Sequence, residues 1–126
     1  MNDKLRNARR LGTAAGAAAL LIVASQQTAA QEWAGSVMVN RVRLNGGTAF
    51  VGTTPQPANT CSNWGEHLTF DATTVQGKNW LAVFMTAKVS NRSVDVWYAP
   101  SSAPGTTQAT SCNGAAISAL QGVSLN

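Results

Sequence analysis

The sequence predicts a mostly β fold: five short strands and one helix, inserted between strands three and four, wrapped into a small Greek-key barrel. Three observations carry this prediction. First, Lys78–Asn91 has a helical period, with Trp80, Val83, Phe84 and Ala87 at i, i+3, i+4 and i+7 and with Leu81 and Met85 widening the apolar side. Second, the segments around it alternate apolar and polar residues with the period of two that belongs to strands. Third, two of those segments change parity midway. A one-residue slip flips every later side chain, so each change calls for a bulge, and bulges let a strand bend around a barrel.

Residues 1–30 precede the predicted domain. A basic start (Lys4, Arg6, Arg9, Arg10), an apolar run Ala14–Ala24 and the small-residue ending Thr28-Ala29-Ala30 form the pattern of a secretory signal peptide. Cleavage is expected between Ala30 and Gln31. The run is short for a membrane span of about 20 residues, and an uncleaved N-terminal anchor is the alternative. Residues 31–126 then form one domain, secreted or periplasmic, with no membrane span of its own. The charge supports this division: the whole chain carries +4, but four leader bases against Asp3 account for +3, leaving +1. A basic-protein argument for nucleic acid or anionic membranes therefore fails. Cys61 and Cys112 are the only cysteines, and in an oxidising compartment a single disulfide between them is the default, with two free thiols as the alternative. Closing a loop of about 50 residues would contribute on the order of 4 kcal/mol.

In chain order, Ser36–Leu44 is the first strand. Val37 and Val39 share one parity and Val42 and Leu44 the other, which puts a bulge near Asn40-Arg41. Asn45-Gly46-Gly47 is a hairpin turn, and Thr48–Thr53 returns from it. Thr54–Gly65, with Pro55, Pro57, Asn59, Cys61 and Asn63, is loop, carrying Trp64 at its tip. Glu66–Asp71 is the third strand, with Leu68 and Phe70 inward and His67, Thr69 and Asp71 outward. Gly77 marks a break before the helix, and Lys88 and Arg92 complement the dipole at its end. Ser93–Tyr98 is the fourth strand, with Val94, Val96 and Tyr98 on one face and Asp95 and Trp97 on the other. Ala99–Cys112 is a long polar loop. Ala115–Leu125 closes the fold, with its parity fault at Leu120 beside Gly122. This order matches the five-stranded oligonucleotide/oligosaccharide-binding (OB) fold. A plain antiparallel sheet under one helix and a β-sandwich are the alternatives, and the helix argues against the sandwich.

The opening Trp33 with VNRVRLNGGTAFV, Cys61 before the third strand, the helix running directly into a Val-x-Val strand (WLAVFMTAKVSNRSVDVWY) and Cys112 before SALQGVSL form one further pattern. It resembles small exported bacterial proteins related to the B subunits of pentamer-forming toxins, of the subtilase cytotoxin type. The resemblance implies a non-catalytic, glycan-recognising subunit that assembles as a homo-oligomer, with a pentamer as one possibility.

Candidate chemistry is sparse. Trp64, Trp97, Trp33 and Tyr98 could stack on the C–H faces of sugars while neighbouring polar groups bind the hydroxyls. For Trp97 a subunit interface is an equal reading. Glu66 and His67 beside Trp64 could hydrogen-bond a ligand, although a lone histidine on an outer strand face is more often merely solvated. Arg41 and Arg43, one strand step apart, could grip an acidic group with their planar donor forks or serve as ordinary surface charges. The carboxylates Glu32, Glu66, Asp71 and Asp95 show no spacing that singles out a glycosidase pair. No Gly-x-Ser-x-Gly elbow is present, two cysteines and one histidine do not make a zinc site, and no cofactor is implied. The expectation is a binding module with no enzymatic activity. A structural or protein-interaction module of the periplasm or cell surface is the runner-up.

Overall fold

A computed structural model describes residues 30–106 and 110–126. Residues 1–29, on which the leader reading rests, lie outside the described residues, as do 107–109 of the long loop. The elements are β1 (Glu32–Asn45), β2 (Thr48–Thr54), β3 (Leu68–Asp71), α1 (Val75–Ser90), β4 (Ser93–Tyr98) and β5 (Ser118–Leu125), with a 3-10 turn at Gly114–Ala116. The chain is mostly β, and its five strands close in a ring in the order β1-β2-β3-β5-β4. The β3–β5 pair is parallel and the other four pairs are antiparallel.

Both parity faults are where the alternation placed them. The β1–β2 register shifts between Val39 and Arg41, leaving Asn40 as the extra residue. The β4–β5 register skips Gln121, since Trp97 faces Gly122 while Tyr98 faces Leu120. Each bulge rotates the following residues by one step, so Val37, Val39 and Leu120 all reach the core while Val42, Val123 and Leu125 pack against it. A third irregularity, between Ala34 and Val37 in the β1–β4 pair, has Ser36 in the left-handed region at φ 53°. The alternation gave no sign of it.

Helix α1 begins three residues before the predicted start. Thr74 is its N-cap, its Oγ1 accepting from the Gly77 N–H at 2.9 Å. Gly77 is therefore not a break. It is buried in the first turn, where an added Cβ would collide with the Asp71 carbonyl. Asn91 ends the helix in the left-handed conformation, and the Arg92 N–H closes it on the Ala87 carbonyl. Phe84 and Ala87 are buried. Phe84 stacks on Phe70, which meets Trp80 edge-on at 5.6 Å, so the helix covers one mouth of the ring. Met85, expected on the inner side, is exposed instead.

Candidate functional site

The site begins with the bulge. After Asn40 is extruded, Arg41 and Arg43 share one parity and both reach the same acceptor. Arg43 grips Glu66 bidentately, Nε to Oε1 at 2.5 Å and Nη2 to Oε2 at 2.7 Å. Arg41 Nε stands 3.3 Å from the same Oε1, and its Nη1 donates to the Trp64 carbonyl at 3.1 Å. Glu66 is almost wholly buried, while both arginine side chains stay partly exposed. The Arg43 guanidinium also lies over the Phe50 ring, 4.4 Å from its centre, and its bond to Glu66 raises its pKa above the usual value. Glu66 takes two of the five Arg43 N–H donors and one edge of its fork, so an acidic ligand would find that edge of Arg43 already occupied.

Trp64 and Gly65 form the two central residues of a tight turn. Asn63 and Glu66 exchange backbone hydrogen bonds across it at 3.0 and 3.1 Å, and the φ values of Trp64 and Gly65 are 55° and 76°. Two consecutive positive φ angles belong to type I′ turns, which favour Asn-Gly. A tryptophan there is strained on the order of 1 kcal/mol, and its side chain is 81% exposed. Arg41, Arg43, Asn63, Trp64 and Glu66 together line an open cleft of about 450 Å³.

Several contacts fix this turn to the ring. The Cys61–Cys112 disulfide, with Cα atoms 5.4 Å apart, ties the loop two residues upstream to the segment before β5. The Tyr98 hydroxyl donates to the Ala58 carbonyl at 2.6 Å, and the His67 N–H donates to the Val51 carbonyl at 2.8 Å. Gly52, opposite Arg41, has no side chain where the Gly65 carbonyl comes down onto β2.

Of the predicted site residues, Trp64, Glu66, Arg41 and Arg43 come together. His67 does not join them and does not lie on an outer face. It is buried, with Nε2 3.1 Å from the Thr53 carbonyl and Nδ1 lacking a partner among the described residues. Burial pushes its pKa down, against a smaller opposing effect of the Thr53 contact. The inversion has a simple cause: β3 begins only at Leu68, so the alternation does not extend back to His67. Trp97 sits on the outer face of β4 as its partner on β1, Trp33, does, away from the cleft. Tyr98 is fully buried and is excluded as a ligand contact. Asn63 is the lining residue that sequence reasoning passed over, and its place beside Trp64-Gly65 in a turn was the available signal.

Among the described residues, no group of three or more His, Cys, Asp or Glu side chains is placed to hold a metal ion. No protein-family pattern, no curated protein and no solved structure matches this chain.

Proposed function

We propose that the chain is an exported, non-catalytic binding module that recognises carbohydrate or a glycoconjugate through the Trp64 cleft, and that it works as a homo-oligomer in the manner of a toxin B subunit. The observation that carries this reading is Trp64 itself. A large apolar ring is displayed almost fully to solvent on a strained turn where asparagine or glycine would be more stable. Strain retained at an exposed aromatic residue is expected where the ring is used. Sugar C–H faces would stack on the indole, with hydroxyls reaching the free donors of Arg41 and the amide of Asn63. The OB-fold reading is supported by the strand order, the single parallel β3–β5 pair and the helix between β3 and β4. Several weak sites on one oligomer would add avidity.

The test is calorimetric titration of the oxidised protein with an oligosaccharide it retains, alongside Trp64→Asn. The variant should lose the heat of binding while melting no lower than wild type. Retained binding would reject the site.

A specific observation favours the second reading, a module that contacts protein rather than sugar. Val75, Met85 and Val89 are exposed on α1, and Met85 and Val89 border a depression of about 340 Å³ with Thr86 and Ser90. Under that reading, Met85→Lys abolishes recovery of a partner and Trp64→Asn does not.

A further inference from the structure

The outer face of β1, β4 and β5 is built differently from the cleft. Trp33 and Trp97 are register partners across β1 and β4. Trp33 is 59% exposed, and its six-membered ring lies across Gly35. A Cβ added to Gly35 would come 2.5 Å from Cζ2 and 2.8 Å from Cη2, so this glycine is what lets the indole lie against the strand. Trp97 lies beside Gly122, its partner on β5, where an added Cβ would meet the indole at ordinary contact distance.

A carboxylate stands on the same outer face. Asp95 is two residues before Trp97 on the same outward side of β4. Its Oδ1 accepts from the Ser36 N–H and from Asn126 Nδ2, each at 2.9 Å, so it is anchored to the residue that follows Gly35. Those two bonds hold its pKa below the usual carboxylate range. Among the described residues no lysine or arginine pairs with it. Arg92, which meets the same Asn126, directs its Nε to the Asn126 main-chain oxygen at 2.6 Å.

Electron-rich indole faces beside an anion without a cationic partner complement a positive charge. The hydrogen bonding narrows the class. Oδ1 already takes two donors and the indoles offer faces rather than acceptors. The surface therefore offers a primary ammonium one open acceptor, Oδ2, for its three donors, and the two-oxygen pairing that matches the fork of a guanidinium is blocked at Oδ1. A quaternary ammonium group needs no hydrogen bonds and meets an indole face with its methyl groups.

We propose that the Trp33, Trp97 and Asp95 surface binds a small soluble quaternary ammonium compound of the choline type, at a site separate from the Trp64 cleft. A free cation fits better than a phosphocholine lipid headgroup, because the lipid phosphate would be brought against Asp95.

Calorimetric titration of the full oxidised chain with choline chloride, against sodium chloride at matched ionic strength, tests this. Saturable binding is expected. Trp33→Ala and Asp95→Asn should each weaken it about tenfold or more, and Trp64→Asn should leave it unchanged. Asp95→Asn keeps an acceptor for Ser36 and Asn126, so weakened binding at an unchanged melting temperature reports the charge. No saturable heat, equal affinity in all three variants, or stronger retention by phosphatidylcholine vesicles or by arginine amide would each overturn the proposal. Because Trp64→Asn separates the two sites, failure here and failure of the glycan reading are distinguishable.

Discussion

Gly52→Ala tests how the cleft is held together. Gly52 faces Arg41 across the β1–β2 ladder, immediately after the Asn40 bulge. The new Cβ would occupy the space of the Gly65 carbonyl oxygen, and it would lie 2.7 Å from Asn40 Oδ1 and 3.3 Å from Arg41 Cβ. The asparagine side chain can swing away. The Gly65 oxygen belongs to the backbone of the Trp64-Gly65 turn and cannot yield without lifting that turn off β2. Lifting it breaks the Arg41–Trp64 carbonyl bond and strains the Asn63–Glu66 pairing that defines the turn. Overpacking of this kind costs about 1–3 kcal/mol. In a domain of about 100 residues or fewer, each kcal/mol moves the melting temperature by roughly 4–8 °C. The expected loss is therefore about 5–20 °C, read by circular dichroism, with a changed tryptophan emission and loss of glycan binding. A variant that melts with wild type and keeps its emission spectrum would refute the role given to Gly52.

Three further outcomes concern the disulfide, His67 and two aspartates. The Cys61–Cys112 disulfide spans 51 residues, so Cys61→Ala with Cys112→Ala should cost on the order of 4 kcal/mol in denaturant titration, and the surviving folded protein should bind glycan more weakly because the loop carrying Trp64 is released. His67 has a folded-state pKa below its ordinary value of about 6.5. Its contribution is fully present above that value and is lost as the pH falls towards its folded pKa, because the unfolded chain takes up the proton first. Melting temperature should therefore decline from about pH 6.5 downward, and His67→Gln, which can still donate to the Thr53 carbonyl, should flatten that decline. Below the ordinary aspartate range a second decline should follow, since Asp71 and Asp95 both have lowered pKa values from their hydrogen bonds.

Much of the fold was legible because strand parity is a strict signal. Two parity faults located two bulges, the turn at Asn45-Gly46-Gly47 was unambiguous, and β4 was read with its boundaries and faces correct. The helix start was misplaced because Gly77 looks like a breaker, while the cap at Thr74 and the close approach to Asp71 that requires a glycine are tertiary facts. At the site, Trp64 could be picked out as a tryptophan in a polar loop. The burial of Glu66 could not, because it depends on two arginines 23 and 25 residues earlier, a contact that only the folded strands make. His67 was read outward by extending the β3 alternation across residues that turn the chain instead. Met85 shows the limit of helical periodicity: an apolar residue at a permitted position still ended on the solvent side.

The most direct measurement of the central claim is a glycan array probed with the intact, oxidised protein and with Trp64→Asn side by side. The account predicts that wild type retains a set of structurally related saccharides and that the variant, folded and equally stable, retains none of them. A blank array for wild type, or the same saccharides held equally by both proteins, would contradict it.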